Sequence, residues 1–198
     1  GLDDREFAVY AVGSLLNYLR RTQKEGVNRI TGISSYNDEQ FLSIDFTARR
    51  NLELTETIRT QEKRGTLLWV LDKTKTAMGK RLLRKYLEQP LANIPQITRR
   101  QAAVAELFEK NIDRIELAEA LSGVYDLQRL MTKVVYGTVN PREMQALSFT
   151  ASHLPRVKEL TRTFSSALLR DLDAQLDILA DIRELIDSAI IEDPPVSL

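Results

Sequence analysis

The chain has no cysteine and a single histidine. Without cysteine it can form no disulfide and no thiolate metal site, and a reducing cytoplasm is the expected setting. One histidine, His153, cannot build a histidine-based metal site, and carboxylates alone would have to supply the remaining ligands. No Gly-x-Ser-x-Gly elbow accompanies His153, so it reads as a polar helix residue near Pro155 rather than a general base. The eight glycines are isolated from one another. That excludes a Gly-x-Gly-x-x-Gly turn, and no Gly-x-x-x-x-Gly-Lys-Ser/Thr phosphate loop exists, since Gly79-Lys80 is followed by Arg81. No apolar run approaches the roughly 20 residues that span a bilayer, so no membrane contact is expected. The opening Gly-Leu-Asp-Asp-Arg has neither an initiator Met nor a basic lead into a hydrophobic stretch. It shows no signal peptide, and the chain is expected to be an excised piece of a longer protein.

Formal net charge is zero, with 28 basic and 28 acidic residues. This gives no global attraction to nucleic acid or membrane. The balance hides an asymmetry. Lys73 to Arg100 holds eight Lys or Arg against one acid, Glu88, while Asp171 to Asp193 holds eight acids against Arg183. Two solvated helix faces explain this; docking of the two regions on each other or on separate partners is the sharper alternative. Acidic pairs such as Asp3-Asp4 and Glu192-Asp193 lie at chain or helix ends, where they read as solvated or capping charges.

What is present is helical periodicity. The 198 residues, 43% of them apolar, suffice to bury a sizeable core. Residues 5 to 25 read as an amphipathic helix with Phe7, Ala11, Val12, Leu15, Leu16, Tyr18 and Leu19 on one side, closed by Gly26. From Asn28 to Asp45, Ile30, Ile33, Tyr36, Phe41, Leu42 and Ile44 suggest two short strands, or one strand and an extended linker. Helices follow over Leu67–Leu71, Thr74–Glu88, Ile97–Lys110, Ile115–Leu121 and Tyr125–Tyr136, the last ended by Gly137. Asn140 is expected to cap a helix with Pro141 in its first turn. Pro155 is expected to kink or break that helix, which resumes to about Phe164. Ser166 to Ile190 is the last helical region, in one or two pieces. Its apolar stripe is Leu172, Leu176, Leu179, Ile182, Leu185 and Ile186, and Pro194-Pro195 stops it.

One candidate binding surface emerges. On a helical wheel Lys80, Arg81, Arg84 and Lys85 fill the half opposite Met78, Leu82, Leu83, Tyr86 and Leu87. Four cations with Lys73 and Lys75 nearby could contact phosphates, dock on a protein element, or stand solvated. The pair Arg49 and Arg50 follows an extended segment, and one of them is expected to tie its helix to a neighbouring acid.

The segment Asp45 to Leu91 resembles the opening of the core domain of the MutS family of mismatch-recognition proteins. The residues carrying the resemblance are Asp45, Thr47 to Leu54, Leu68 to Asp72, Thr76, Met78-Gly79, Arg81-Leu82-Leu83 and Gln89-Pro90-Leu91. Val124 to Leu130 is similar to that family's Asp-Leu-Glu-Arg-Leu element, with Gln128 in place of the acid. Asn140 to Met144, Leu154-Pro155 and Ile190 to Pro195 also match in order. The resemblance implies a mainly α, irregular multi-helix bundle with a short β or extended segment near the N-terminus. Residues 1–27 would be the C-terminal helix of a connector domain, 28–45 a strand or linker, and 46–198 the first part of the core or lever domain.

The family's mismatch-reading Phe-x-Glu is absent: none of the six Phe has Glu two residues on. The ATPase signatures are absent too. The resemblance therefore implies a structural and allosteric piece that is not itself an enzyme. ATP and Mg would be bound elsewhere in the full-length protein. Expected partners are the clamp, ATPase and connector domains, mismatched duplex DNA, a second subunit and MutL. The alternative is a helical module that binds DNA without sequence preference through Lys80, Arg81, Arg84 and Lys85.

Overall fold

The computed structural model describes residues 6–22, 30, 32–33 and 40–195. The chain divides into two units, Gly1–Asn37 and Asp38–Leu198. In the first, α1 spans Glu6–Thr22, with Glu6 in the first turn and Arg20 and Arg21 in the last, each at the helix end its charge favours. The expected stop at Gly26 lies outside the described residues. So does most of the expected strand region. Within its described part, Phe41 makes one isolated antiparallel bridge with Leu91, and no strand forms among the described residues.

The second unit holds nine helices among its described residues: α2 (Phe46–Asn51), α3 (Leu67–Leu71), α4 (Ala77–Glu88), α5 (Ile94–Glu109), α6 (Asn111–Ser122), α7 (Leu127–Tyr136), α8 (Pro141–Thr161), α9 (Ala167–Gln175) and α10 (Ala180–Ala189). No described helix is long and apolar enough to cross a membrane. Side-chain caps set most of the starts. The side chains of Asp45, Thr66, Thr76, Asn93, Asp126 and Asn140 each accept from the backbone N–H three residues on, in the first turn of their helix. Thr76 explains why α4 begins three residues later than the periodicity from Thr74 suggests. Asn93, followed by Pro95 in the first turn, starts α5 three residues before Ile97. Asn140 and Glu143 form a reciprocal capping box on α8. At the other end of α7, Gly137 takes φ 67°, the left-handed conformation that closes a helix at little cost for glycine.

α8 is the axis of the fold. It buries Leu147, Ser148, Thr150, Ala151, Leu154, Val157 and Leu160, and packs against α6, α7, α9 and α10. The buried apolar residues include two clusters: Leu130 of α7, Leu147 of α8 and Ile186 of α10 in one, Ala103 of α5, Phe164 and Leu169 of α9 in the other. Pro155 does not break α8, which runs unbroken from Pro141 to Thr161. A mid-helix proline costs about 3 kcal/mol. Burial of large apolar side chains is worth about 1.5–3 kcal/mol each, and Leu154 and Val157 on either side of Pro155 are both buried. Packing outweighs the lost hydrogen bond.

The last helical region is two helices. Between them Leu179 sits at φ 53°, and Asp177 Oδ1 accepts from the Leu179 N–H at 3.0 Å. The break dismantles the expected C-terminal stripe: Ile186 is buried, whereas Leu172 and Leu185 are exposed.

Gly123, between α6 and α7, makes a close approach that only glycine permits. A Cβ there would lie 2.3 Å from His153 Cδ2. The ring is fixed by its Nδ1, 2.9 Å from the Phe149 carbonyl, and by Phe149 itself, with centroids 4.5 Å apart. Gly123→Ala is expected to lower stability by about 1–3 kcal/mol, the range for overpacking. Adding His153→Ala should recover most of it, as read from urea midpoints.

Candidate functional site on the basic helix

α4 carries all four candidate cations, and the structure gives three of them acidic partners within the chain. Lys80 Nζ lies 2.7 Å from Asp72 Oδ2. Asp72 closes α3, and its Oδ1 also accepts from the Thr74 hydroxyl at 2.6 Å and the Thr74 N–H at 3.2 Å. These bonds, the one from Lys80 foremost, hold the Asp72 carboxyl down to about 2. Arg84 pairs with Glu88 one turn on, at 2.8 Å. Lys85 is exposed and has no acid partner among the described residues.

Arg81 is the centre of the site. Its Nη1 and Nη2 donate to Asp126 Oδ2 and Oδ1, both at 2.7 Å, in a two-pronged fork. Nη2 and Nε also reach Gln128 Oε1, at 2.6 and 3.2 Å. Asp126 does two jobs. It caps α7 by accepting from the Arg129 N–H at 3.2 Å, and it receives the guanidinium from α4. The Arg81 contact, chiefly, pulls the Asp126 carboxyl below its usual range, and Asp126 in turn raises Arg81. The start of α7 is thereby pinned to the middle of α4. Charge and periodicity do not mark Asp126 and Gln128 as site residues. Their signal in the sequence is membership of the Asp-Leu-Gln-Arg-Leu element, where the Gln128 amide oxygen serves the guanidinium.

The same device recurs. Lys133 of α7 contacts Glu143, the capping-box acid of α8, and with the Asn140 N–H it lowers the Glu143 pKa. The start of α9 is capped from another helix. Burial opposes ionisation of Glu106, but N–H donation from Ser166 at 2.7 Å and Ser165 at 2.6 Å draws its pKa far below normal. Lys110 adds a contact to Glu106 at 3.2 Å. The other end of α9 is held by Lys158 Nζ, which donates to the carbonyls of Asp173 and Leu176 at 2.5 and 2.7 Å.

The remaining basic candidates behave differently from expectation. Arg49 Nε donates to the Ile44 carbonyl at 3.0 Å, a backbone oxygen rather than an acid, and neither Arg49 nor Arg50 has an ion pair among the described residues. The basic and acidic regions do meet at one point, Arg99 with Asp171. Three other acids of the C-terminal region are engaged elsewhere: Asp173 with Thr161, Asp187 with Ser148 and Arg183, and Asp193 with Arg142. Among the described residues no group of three or more His, Cys, Asp or Glu is placed to hold a metal ion.

Fold and site together define a mainly α, multi-helix domain in which several charged side chains join helix ends. The family model for MutS domain III matches residues 47–198. Along the whole chain the sequence is 46% identical to the DNA mismatch repair protein MutS of Lachnoclostridium phytofermentans, of which it covers 21%. It is 44% identical to MutS of Alkaliphilus oremlandii and 40% identical to MutS of Symbiobacterium thermophilum, covering 22% and 23% of those proteins. The chain belongs to the MutS family, and it spans about 22% of the length of the curated relatives it matches.

Two measurements probe the site. Asn caps a helix as well as Asp, so Asp126→Asn removes the charge and keeps the α7 cap. Arg81→Ala and Asp126→Asn are expected to be non-additive, the double variant being no less stable than Arg81→Ala alone. Full additivity would show that the fork couples nothing. The depressed carboxyls also set an acid limit. Asp72, Glu106, Asp126 and Glu143 have folded pKa values below their unfolded ones, near 4. Their contribution is full above that pH and is lost as pH falls through the folded values, to about 2 for Asp72. Urea midpoints should drop as pH falls below about 5. Glu106→Gln should make that decline shallower while costing about 1 kcal/mol near neutrality, a typical cap loss.

Proposed function

We propose that this chain is a connecting element of a DNA mismatch repair protein, joining the parts that hold DNA to the parts that bind and hydrolyse ATP. ATP and Mg are bound outside these residues. The whole protein works as a dimer on mismatched duplex DNA, with MutL as a partner, and residues 1–27, 28–45 and 46–198 are the end of the connector, a linker and the first part of the core. The membership in the MutS family supports the setting. The observation that carries the role is the Arg81 fork: the most basic helix spends its strongest donor on the cap of α7 instead of presenting it outward.

A rigid unit transmits displacement only if its rods move together. The apolar packing of α8 supplies rigidity within the unit, and the charged caps fix helix starts relative to neighbouring helices. Such a chain needs no reactive residue of its own. A phosphate-binding face would look different, with several cations free to release counterions from DNA. Here Lys80, Arg81 and Arg84 each face an acid, which leaves Lys85 as the one of the four with no acid partner among the described residues.

Titration of the 198-residue chain with duplex DNA across salt separates the two readings. Little binding, with a shallow dependence on salt, is expected. A steep loss of binding with salt, about one log unit per log unit of salt for each phosphate contacted, would establish the alternative, a DNA-binding module. In the full-length protein, reversing the charge of Lys80, Arg84 and Lys85 should change ATP-dependent release from a mismatch more than initial binding. Equal and large loss of initial binding would overturn the connecting role.

A further inference from the structure

α10 ends at Ala189, and Ile190 turns the chain into extended backbone at φ −126° and ψ 129°. The chain beyond it does not part from α8. Arg142, Gln145 and Ser148, spaced three residues apart, are neighbours along one flank of α8. Ser148 Oγ donates to Asp187 Oδ1, where α10 is still helical. Gln145 Nε2 donates to the carbonyls of Ile190 and Ile191 at 3.0 and 3.1 Å, and Arg142 Nε donates to the carbonyl of Pro194 at 2.9 Å. The partners come in reverse order, so residues 187–194 run antiparallel to the first turns of α8. Ile190 packs on the cluster of Leu130, Leu147 and Ile186, and Pro194 is buried, but Ile191, Glu192 and Asp193 between them are exposed. Apolar packing therefore leaves this strap free at its middle, and the two side-chain donors fix it through its backbone. The looser contact of Arg142 with the Asp193 carboxylate, at 3.8 Å and 94% exposed, adds little. Each proline fixes its own φ and confines the residue before it to extended backbone. Pro194-Pro195 is thus stiff, and a direction set at the Pro194 carbonyl is kept into the residues that follow.

We propose that the first turn of α8 is a junction, and that Arg142 and Gln145 are positioning residues that make the strap Ile190–Pro194 move with α8 instead of swinging from the end of α10. Glu143, the residue next to Arg142, takes the contact from Lys133 of α7. Adjacent residues of one helical turn thus receive a displacement from α7 and hand it to the chain past α10. The inference rests on the connecting role proposed above and names the place where a displacement leaves the domain. Backbone acceptors suit this task. They record the path of the strap whatever its side chains are, and a guanidinium donates to a carbonyl more strongly than a neutral group does.

The chain lacks cysteine, so introduced thiols can be spin-labelled in pairs. Glu192→Cys on the strap with Glu119→Cys on α6 reports where the strap lies. Glu119→Cys with Arg170→Cys on α9 is the control, and all three positions are exposed. One narrow 119–192 distance is expected in the 198-residue chain. Loss of a single charge-assisted bond lowers the held population roughly tenfold. Arg142→Met with Gln145→Met is therefore expected to broaden the 119–192 distance and leave 119–170 as it was. Should the pair disturb 119–170 as well, Arg142→Met alone, at an exposed position, is read by the same criteria. A broad 119–192 distance in the unsubstituted chain, or a narrow one after the donors are removed, would overturn the proposal. In the full-length protein, Lys133→Met and Arg142→Met should each change ATP-dependent release from a mismatch without changing initial binding. Together they should do no more than the stronger does alone, because they interrupt one path. Fully additive effects would overturn the junction. A loose strap in a protein whose release still responds to the α4 charge reversal would remove the junction and keep the connecting role. A held strap, with release indifferent to Arg142→Met, Lys133→Met and the α4 reversal alike, would remove the connecting role and leave the strap bound to α8.

Discussion

The first backbone N–H groups of every helix lack an intrahelical partner, and how those groups are satisfied decides where each helix can begin and what it must touch. In this chain several caps double as inter-helix joints. Asp126 caps α7 and takes the α4 guanidinium; Glu143 completes the α8 capping box and takes Lys133 of α7; Glu106 of α5 supplies the carboxylate that α9 lacks in its own sequence. A carboxylate in such a place is stabilised by the helix dipole, by N–H donors and by a cation together. Removing one member therefore disturbs two helices, and the neighbours α4, α7 and α8 are linked in series.

Exposed ion pairs contribute little to net stability because solvent screens them. The bulk of the holding energy comes from α8, whose Leu147, Ala151, Leu154, Val157 and Leu160 are all buried. The polar groups on its buried face are satisfied as well. Thr150, fully buried, donates to the Ala146 carbonyl at 2.9 Å and accepts from the Tyr125 N–H at 3.2 Å, which ties the loop before α7 to the axis. Apolar burial holds the rods together, while the charged caps fix their register.

Local features were legible in the sequence. The Asn140-Pro141 start, the Gly137 stop and the short α3 after Thr66 each depend on residues within one turn of the element. Pro155 reads as a kink or a break because local propensity is blind to the core that Leu154 and Val157 enter, and the break does not occur. The last helical region is the two-piece alternative, but its break point depends on an Asp177 turn and a left-handed Leu179 that neither β-period nor helix-period patterns mark. The partners of Arg81 lie 45 and 47 residues away, and those of Glu106 lie 59 and 60 away. A helical wheel places Arg81 correctly on the outward half of α4 and cannot say that another helix start is waiting there. The four cations look alike in sequence, and only the fold separates the fork of Arg81 from the local pairing of Arg84 and from Lys85, which has no acid partner among the described residues.

That separation bears on what a basic helix can do once its cations are engaged within its own fold. A cation spent on a cap carboxylate is displaced only if the cap is given up, so a competing phosphate must overcome a two-pronged, charge-assisted contact as well as enter a site already filled. The same contact is geometrically strict, since a guanidinium fork tolerates little rotation before one prong is lost. A shift of α4 is therefore passed to the start of α7 or it breaks the fork, with few intermediate arrangements available. From α7 it reaches α8 through Lys133 and Glu143, and α8 is the helix against which α6, α9 and α10 are packed. The order of these joints, α4 to α7 to α8, is also the order in which a displacement applied at the basic helix would enter the apolar core.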